Sequence, residues 1–171
     1  MTGQYTLDQT EQAVAARLTG LPVDHTAMAA IGGLYRAAGV VRNHLERAVL
    51  AQHDLTWTGW VVLWVVWVWD DIETRHAASE AGISKSTLTG VVSTLEARGL
   101  VTRRTHAEDG RRVVLSLTPK ARTLMESLFP QFNAQEIDAV STLDPDELAV
   151  LTRALRKVVL HLEATPDLPR S

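Results

Sequence analysis

The chain has no cysteine among its 171 residues. That rules out a disulfide framework, a cysteine-ligated zinc site and a thiol-based redox switch. Histidine is present at His25, His44, His53, His76, His106 and His161, but no two stand three or four positions apart. A metal site would therefore have to be assembled from distant segments, with Asp54 or Glu46 as further candidates, and no metal ligand set is assigned. A phosphate-cradling glycine loop and a nucleophile elbow are also missing, so no catalytic residue and no cofactor are expected. Long hydrophobic runs are absent as well. The most apolar stretch, residues 57–69, falls well short of the ~20 residues a membrane span needs, and no signal-peptide pattern opens the chain. A cytoplasmic protein with no membrane partner is the expectation, and 46% hydrophobic content suits one globular domain.

What is present is concentrated between residues 83 and 118. Ser84 is positioned as an N-cap for a helix over residues 85–98 that Gly99 ends. Leu88, Val91, Val92 and Leu95 recur at helical spacing and form an apolar stripe. The opposite face carries Ser86, Gly90, Ser93 and Ala97, flanked by Lys85, Thr87, Thr89 and Thr94. A helix face selected for solubility alone usually carries Glu and Lys. Short hydroxylated side chains and a glycine instead let the helix approach base edges and phosphates closely. A polar solvated face would be the simpler reading if the helix stood alone.

It is followed by two strand-like runs, residues 100–106 and 111–117, around the hairpin signal Asp109-Gly110. Val113, Leu115 and Leu117 are expected to alternate inward. Arg98, Arg103, Arg104, Arg111 and Arg112 cluster about this hairpin with only Glu108 and Asp109 as local counter-charges. Asp109 is placed to brace Arg111, and an exposed arginine there suits phosphate contact or the minor groove. The chain as a whole has a formal net charge of −3, which is awkward for nucleic-acid binding unless the charge is segregated. It is segregated: residues 135–146 carry Glu136, Asp138, Asp144 and Asp146 with no Lys or Arg.

These residues resemble the MarR family of winged helix-turn-helix regulators. The resemblance rests on Gly82-Ile83-Ser84-Lys85-Ser86-Thr87, Leu95-Glu96-Ala97-Arg98-Gly99-Leu100-Val101, Asp109-Gly110-Arg111 and Leu117-Thr118, and extends less specifically over residues 30–163. Ala121 departs from the pattern where a glycine is common, and Glu73-Thr74-Arg75-His76 is an unusual lead into the motif. The resemblance implies a mainly α fold with a small β wing, a homodimer interlocked through terminal helices, and a pseudo-palindromic double-stranded DNA operator. A ligand-responsive repressor, rather than an activator, is the expected role. The alternatives are a winged-helix module that binds a protein partner, and a metal-responsive regulator.

The flanking segments fit that plan. Residues 24–52 show helical periodicity through Met28, Ile31, Leu34, Tyr35, Ala38, Val41, Leu45, Ala48 and Val49. Asp144-Pro145-Asp146-Glu147 reads as a capping box, after which Leu148, Leu151, Leu155, Val158 and Leu162 form a seam seeking a partner helix. A short helix is expected over residues 7–18. The expected organisation is an N-terminal extension at 1–23, dimerisation helices at 24–54 and 119–164, the DNA-binding domain at 55–118 and a disordered tail at 165–171.

Within a helix expected over residues 56–70, Trp57, Trp60, Trp64 and Trp67 share one face, and the intervening apolar residues predict burial nearly all round. A core stripe is the leading account, although each buried indole N–H needs an acceptor. The resemblance places an effector pocket where this helix meets the dimerisation helices. A flat aromatic or phenolic effector would then be walled by Trp57, Trp60 and Trp64, with Arg42 or His44 as anion partners.

Overall fold

The computed structural model describes residues 5–105 and 112–165. The expected brace between Asp109 and Arg111 and the tail beyond Thr165 lie outside the described residues. The chain divides into two units, Met1–Val40 and Val41–Ser171.

The first unit holds α1 (Leu7–Leu18) and the first part of α2 (His25–Ala48). Thr6 starts α1 through a capping box in which its hydroxyl accepts from the Gln9 N–H and the Gln9 side chain accepts from the Thr6 N–H. Asp24 accepts from the Ala27 N–H at the head of α2. Neither α1 nor this part of α2 buries a residue, and Tyr35 remains 85% exposed.

The second unit contains the core. Leu50–His53 forms a 3-10 turn after α2, and α3 (Trp57–Trp69) follows, capped by Thr56 on the Gly59 N–H. The Glu46 carboxylate accepts from the Trp57 N–H and so ties the end of α2 to the start of α3. The strands are β1 (Ile72–Glu73), β2 (Val101–Thr105) and β3 (Val113–Leu117), antiparallel in the order β1-β3-β2. Between β1 and β2 lie α4 (Thr74–Glu80) and α5 (Lys85–Ala97), and after the sheet come α6 (Pro119–Ala139) and α7 (Pro145–Ala164). Val62, Leu63, Val66, Leu115, Ala121, Met125 and Leu128 lie at the centre with essentially no exposure. Such burial removes apolar surface from water and is the main stabilising term.

Two expectations change here. Val113 does not point inward: it is 37% exposed, whereas Val114, Leu115, Ser116 and Leu117 are all buried. The physical reason is the place of β3 in the sheet. As the central strand it is paired on both edges, and only its first residue, opposite Thr105, projects past the core. Nor is α3 buried all round, because Trp64, Val68 and Trp69 are 40%, 49% and 58% exposed. Its far end emerges from the core on one side.

The capping box predicted for α7 is present, with Asp144 accepting from the Asp146 and Glu147 N–H groups and Glu147 accepting from the Asp144 N–H. Even so, α7 buries none of its residues. Leu148, Leu151, Val158 and Leu162 are all exposed, with Leu162 at 64%.

Candidate nucleic-acid interface

The candidate reading surface is built by α4, a tight turn, and α5. Gly82 has φ +62 in that turn and Gly99 has φ +67 just after α5, a backbone region in which side chains with a Cβ are strained. Ser84 caps α5 by accepting from the Thr87 N–H at 3.1 Å. Leu88, Val92 and Leu95 are buried and Val91 is half-buried, which fixes the rotation of the helix. As a consequence Lys85, Ser86, Thr87, Thr89, Gly90, Ser93 and Ala97 are all exposed. A Cβ built on Gly90 would meet nothing within 4 Å.

Hydroxyls on this face are already organised. The Ser84 Oγ lies 2.9 Å from Ser86 Oγ and 2.8 Å from Thr87 Oγ1. Thr89 donates to the Lys85 carbonyl at 2.9 Å and Thr94 to the Gly90 carbonyl at 3.1 Å. Lys85 sets a cation in the first turn beside this hydroxyl cluster.

The arginines are placed less uniformly than the sequence suggests. Arg98 turns back into the fold, donating from Nη1 to the Asp54 carbonyl at 2.6 Å and from Nη2 to the His53 carbonyl at 2.7 Å. Its own carbonyl accepts from Lys120 Nζ. Asp54 adopts φ 52, so the guanidinium clamps a left-handed turn. Arg103 and Arg104 are consecutive on β2, and strand alternation sends them to different environments. Arg103 pairs with Glu96 at 3.0 Å, while Arg104 pairs with Asp71, which also accepts from Ser116. Arg112 bonds to Glu73 at 3.1 Å, and the same carboxylate group pairs with Arg75. Glu108 and Asp109, the local counter-charges expected, lie outside the described residues, and other carboxylates oppose the described arginines. Glu96 does so from the end of the preceding helix, seven residues before Arg103, and Asp71 and Glu73 do so from segments distant in sequence.

Asp71 carries the clearest electrostatic signature. The hydrogen bond from Ser116 and then that from Arg104 hold its carboxyl below the usual carboxylate range, and Arg104 is correspondingly raised. Asp70, which pairs with Arg122 at 2.8 Å, and Asp71 both adopt positive φ, at 39 and 46. No local pattern marks this acidic link in the sequence, since Asp71 meets residues 33 and 45 positions away.

The tryptophan face divides. Trp60 is 3% exposed and stacks on Phe132 at 4.5 Å and on Phe129 at 6.4 Å between ring centroids. Trp57 and Trp67 make tilted contacts with Phe132 and Phe129. These rings are packing against α6, as the core-stripe account expects. Among the described residues no buried side-chain nitrogen or oxygen lacks a hydrogen-bond partner. Trp64 is the exposed member. Arg42 is exposed, and His44 Nε2 lies 3.0 Å from Gln135 Oε1. Among the described residues no group of His, Asp and Glu converges as metal ligands would, and no helix is long and apolar enough to cross a membrane.

A three-helix core with a paired wing, and one helix whose outward face is small and hydroxylated, defines a winged helix-turn-helix DNA-binding protein. The comparisons agree. The MarR family model matches residues 55–113. The HTH-type transcriptional regulator YwaE of Bacillus subtilis (strain 168) is 33% identical over 162 residues, 93% of this chain and 95% of the relative. The structure of BpsR from Bordetella bronchiseptica, whose DNA binding is regulated by 6-hydroxynicotinic acid, is 25% identical with a TM-score of 0.69, covering 75% of this chain and 98% of that one. PcaV from Streptomyces coelicolor in complex with its natural ligand is 25% identical with a TM-score of 0.66, covering 83% and 94%. The chain belongs to the MarR family and is a transcriptional regulator, not an enzyme.

Proposed function

We propose that this chain is a homodimeric, ligand-responsive repressor that reads a pseudo-palindromic operator through α5. The observation that carries this reading is the outward face of α5, exposed from Lys85 to Ala97 while Leu88, Val92 and Leu95 lock the opposite face into the core. A helix nearly free of acid on that face, where Glu96 is already paired with Arg103, and with Gly90 at its middle, fits a major groove. Lys85, Ser86, Thr87, Thr89, Gly90 and Ser93 are the proposed base and phosphate contacts, with Arg103 and Arg112 beside them on the wing. Arg104 belongs with Asp71 at the wing base, and Arg98 with the turn after α2.

Support for a homodimer comes from α7, whose seam of Leu148, Leu151, Leu155, Val158 and Leu162 has no member buried among the described residues. Support for an effector comes from the exposed indole of Trp64 on α3, from the exposed Arg42, and from BpsR and PcaV as relatives associated with small ligands. An aromatic acid would place its ring on Trp64 and its carboxylate toward Arg42 or His44.

The test is selection of duplexes from fragmented source DNA, followed by titration with rising salt. The reading expects one enriched pseudo-palindrome and a steep loss of affinity with salt, and enrichment of no sequence would overturn it. Aromatic acids are then added to the complex. One that quenches tryptophan emission and releases DNA supports the effector reading, and quenching that survives Trp64→Phe unchanged removes Trp64 from it.

A further inference from the structure

Arg103 is attached to the wing but lies across the recognition helix. Its Nε is 3.0 Å from Glu96 Oε2, and its Nη2 donates to Ser93 Oγ at 3.1 Å and, at the limit of hydrogen bonding, to the Thr89 carbonyl at 3.4 Å. Thr89, Ser93 and Glu96 follow one another at helical spacings of four and three, so the guanidinium runs along one line of α5. Arg103 and Glu96 side chains are 35% and 32% exposed, which leaves the pair at the surface but partly shielded. Among the described residues Nη1 has no partner.

This is an arginine whose long side chain is ordered before any ligand arrives. Anchoring at Nε and Nη2 removes much of the rotamer freedom that binding would otherwise have to remove, and two N–H groups remain on Nη1. A phosphate accepts a cation from many directions and needs no such anchoring. A base edge does, because its acceptors lie in fixed positions in the groove. A carboxylate at Glu96 also repels the phosphate backbone, so it weakens the sequence-independent part of any binding. A surface arranged for phosphate grip alone would be better without it.

We propose that Arg103 is a base-reading side chain that Glu96 positions over α5, so that a wing residue supplies part of the sequence discrimination of the recognition helix. Guanine is the class of target, since its O6 and N7 acceptors face the major groove side by side. The inference rests on the reading of the α5 face as the duplex contact. Glu96 is a positioning residue here and touches no DNA.

The experiment selects bound duplexes from a randomised pool with the full-length wild type, Glu96→Gln, Arg103→Lys and Arg103→Ala. Wild type is expected to enrich a guanine at one position in each half-site. Arg103→Ala should lose that preference, with affinity for the guanine-bearing duplex falling roughly 5- to 150-fold. Arg103→Lys keeps the charge but cannot stay anchored on Glu96 and Ser93 while presenting further N–H groups to a base, and should lose the same preference. Glu96→Gln should blur it while binding to mixed-sequence duplex stays equal or rises. Should Glu96→Gln fail to fold, Arg103→Lys carries the test. Unchanged preference in Glu96→Gln and Arg103→Lys, or an equal loss on all sequences in Arg103→Ala, would overturn the proposal while leaving DNA reading by α5 intact. Enrichment of nothing by wild type would remove both.

Discussion

Arg98 separates a structural arginine from a recognition arginine. Its guanidinium donates to two consecutive backbone carbonyls, those of His53 and Asp54, and charge-assisted bonds of this kind are the stronger ones. Arg98→Ala should therefore lower stability by about 1–3 kcal/mol in urea denaturation while leaving base preference unchanged. A stable variant with altered base preference would assign Arg98 to the DNA face instead. At Asp71 the expected readout is pH. Hydrogen bonds from Ser116 and Arg104 depress its folded pKa, so its contribution is present above the unfolded carboxylate value, near ~4, and is lost as pH falls through the folded one. Asp71→Asn tolerates the same positive φ. Its stability deficit relative to wild type should be evident at pH 6 and shrink toward pH 3. A deficit that stays constant across that range would contradict the assignment. Neither interaction is legible in the sequence, because Arg98 reaches residues 44 and 45 positions away and Asp71 reaches Arg104 and Ser116 across the sheet.

Elements were far more legible than their pairings. Caps are local, so Ser84 and Asp144 announce α5 and α7 before any tertiary contact is known. The periodicity of α5 likewise fixes its buried stripe. What periodicity could not tell was how far α6 covers the α3 tryptophans, which depends on where Phe129 and Phe132 fall. Nor could local sequence reveal that β3 is a central strand. Gly90 provides a test at this scale. A Cβ there meets open space, and alanine is the better helix former, so Gly90→Ala should stabilise the chain by about 0.5–1 kcal/mol. The same methyl group would meet the duplex, and DNA affinity should fall. Higher stability with undiminished affinity would place the DNA elsewhere. For α7, Leu151→Lys puts a charge in the exposed seam. Sedimentation should show dissociation to monomers at micromolar concentration, and an unchanged dimer would move the interface off α7.

Over the whole molecule, a formal net charge of −3 has to coexist with binding to a polyanion. Segregation is part of the answer, and internal pairing is the rest. Arg103, Arg104 and Arg112 each face a carboxylate, so the described part of the wing presents paired donors rather than a bare positive field. The proposed mode of binding therefore predicts weak affinity for arbitrary DNA and strong dependence on shape and base contacts. The central claim is that the exposed face of α5 reads duplex DNA. Fluorescence anisotropy of the selected operator and of a scrambled duplex, with wild type and Gly90→Ala across a salt series, tests it most directly. The account predicts tighter binding of the operator at every salt and a selective loss of that advantage in the variant. Equal binding of both duplexes by wild type, or an operator preference untouched by Gly90→Ala, would contradict it.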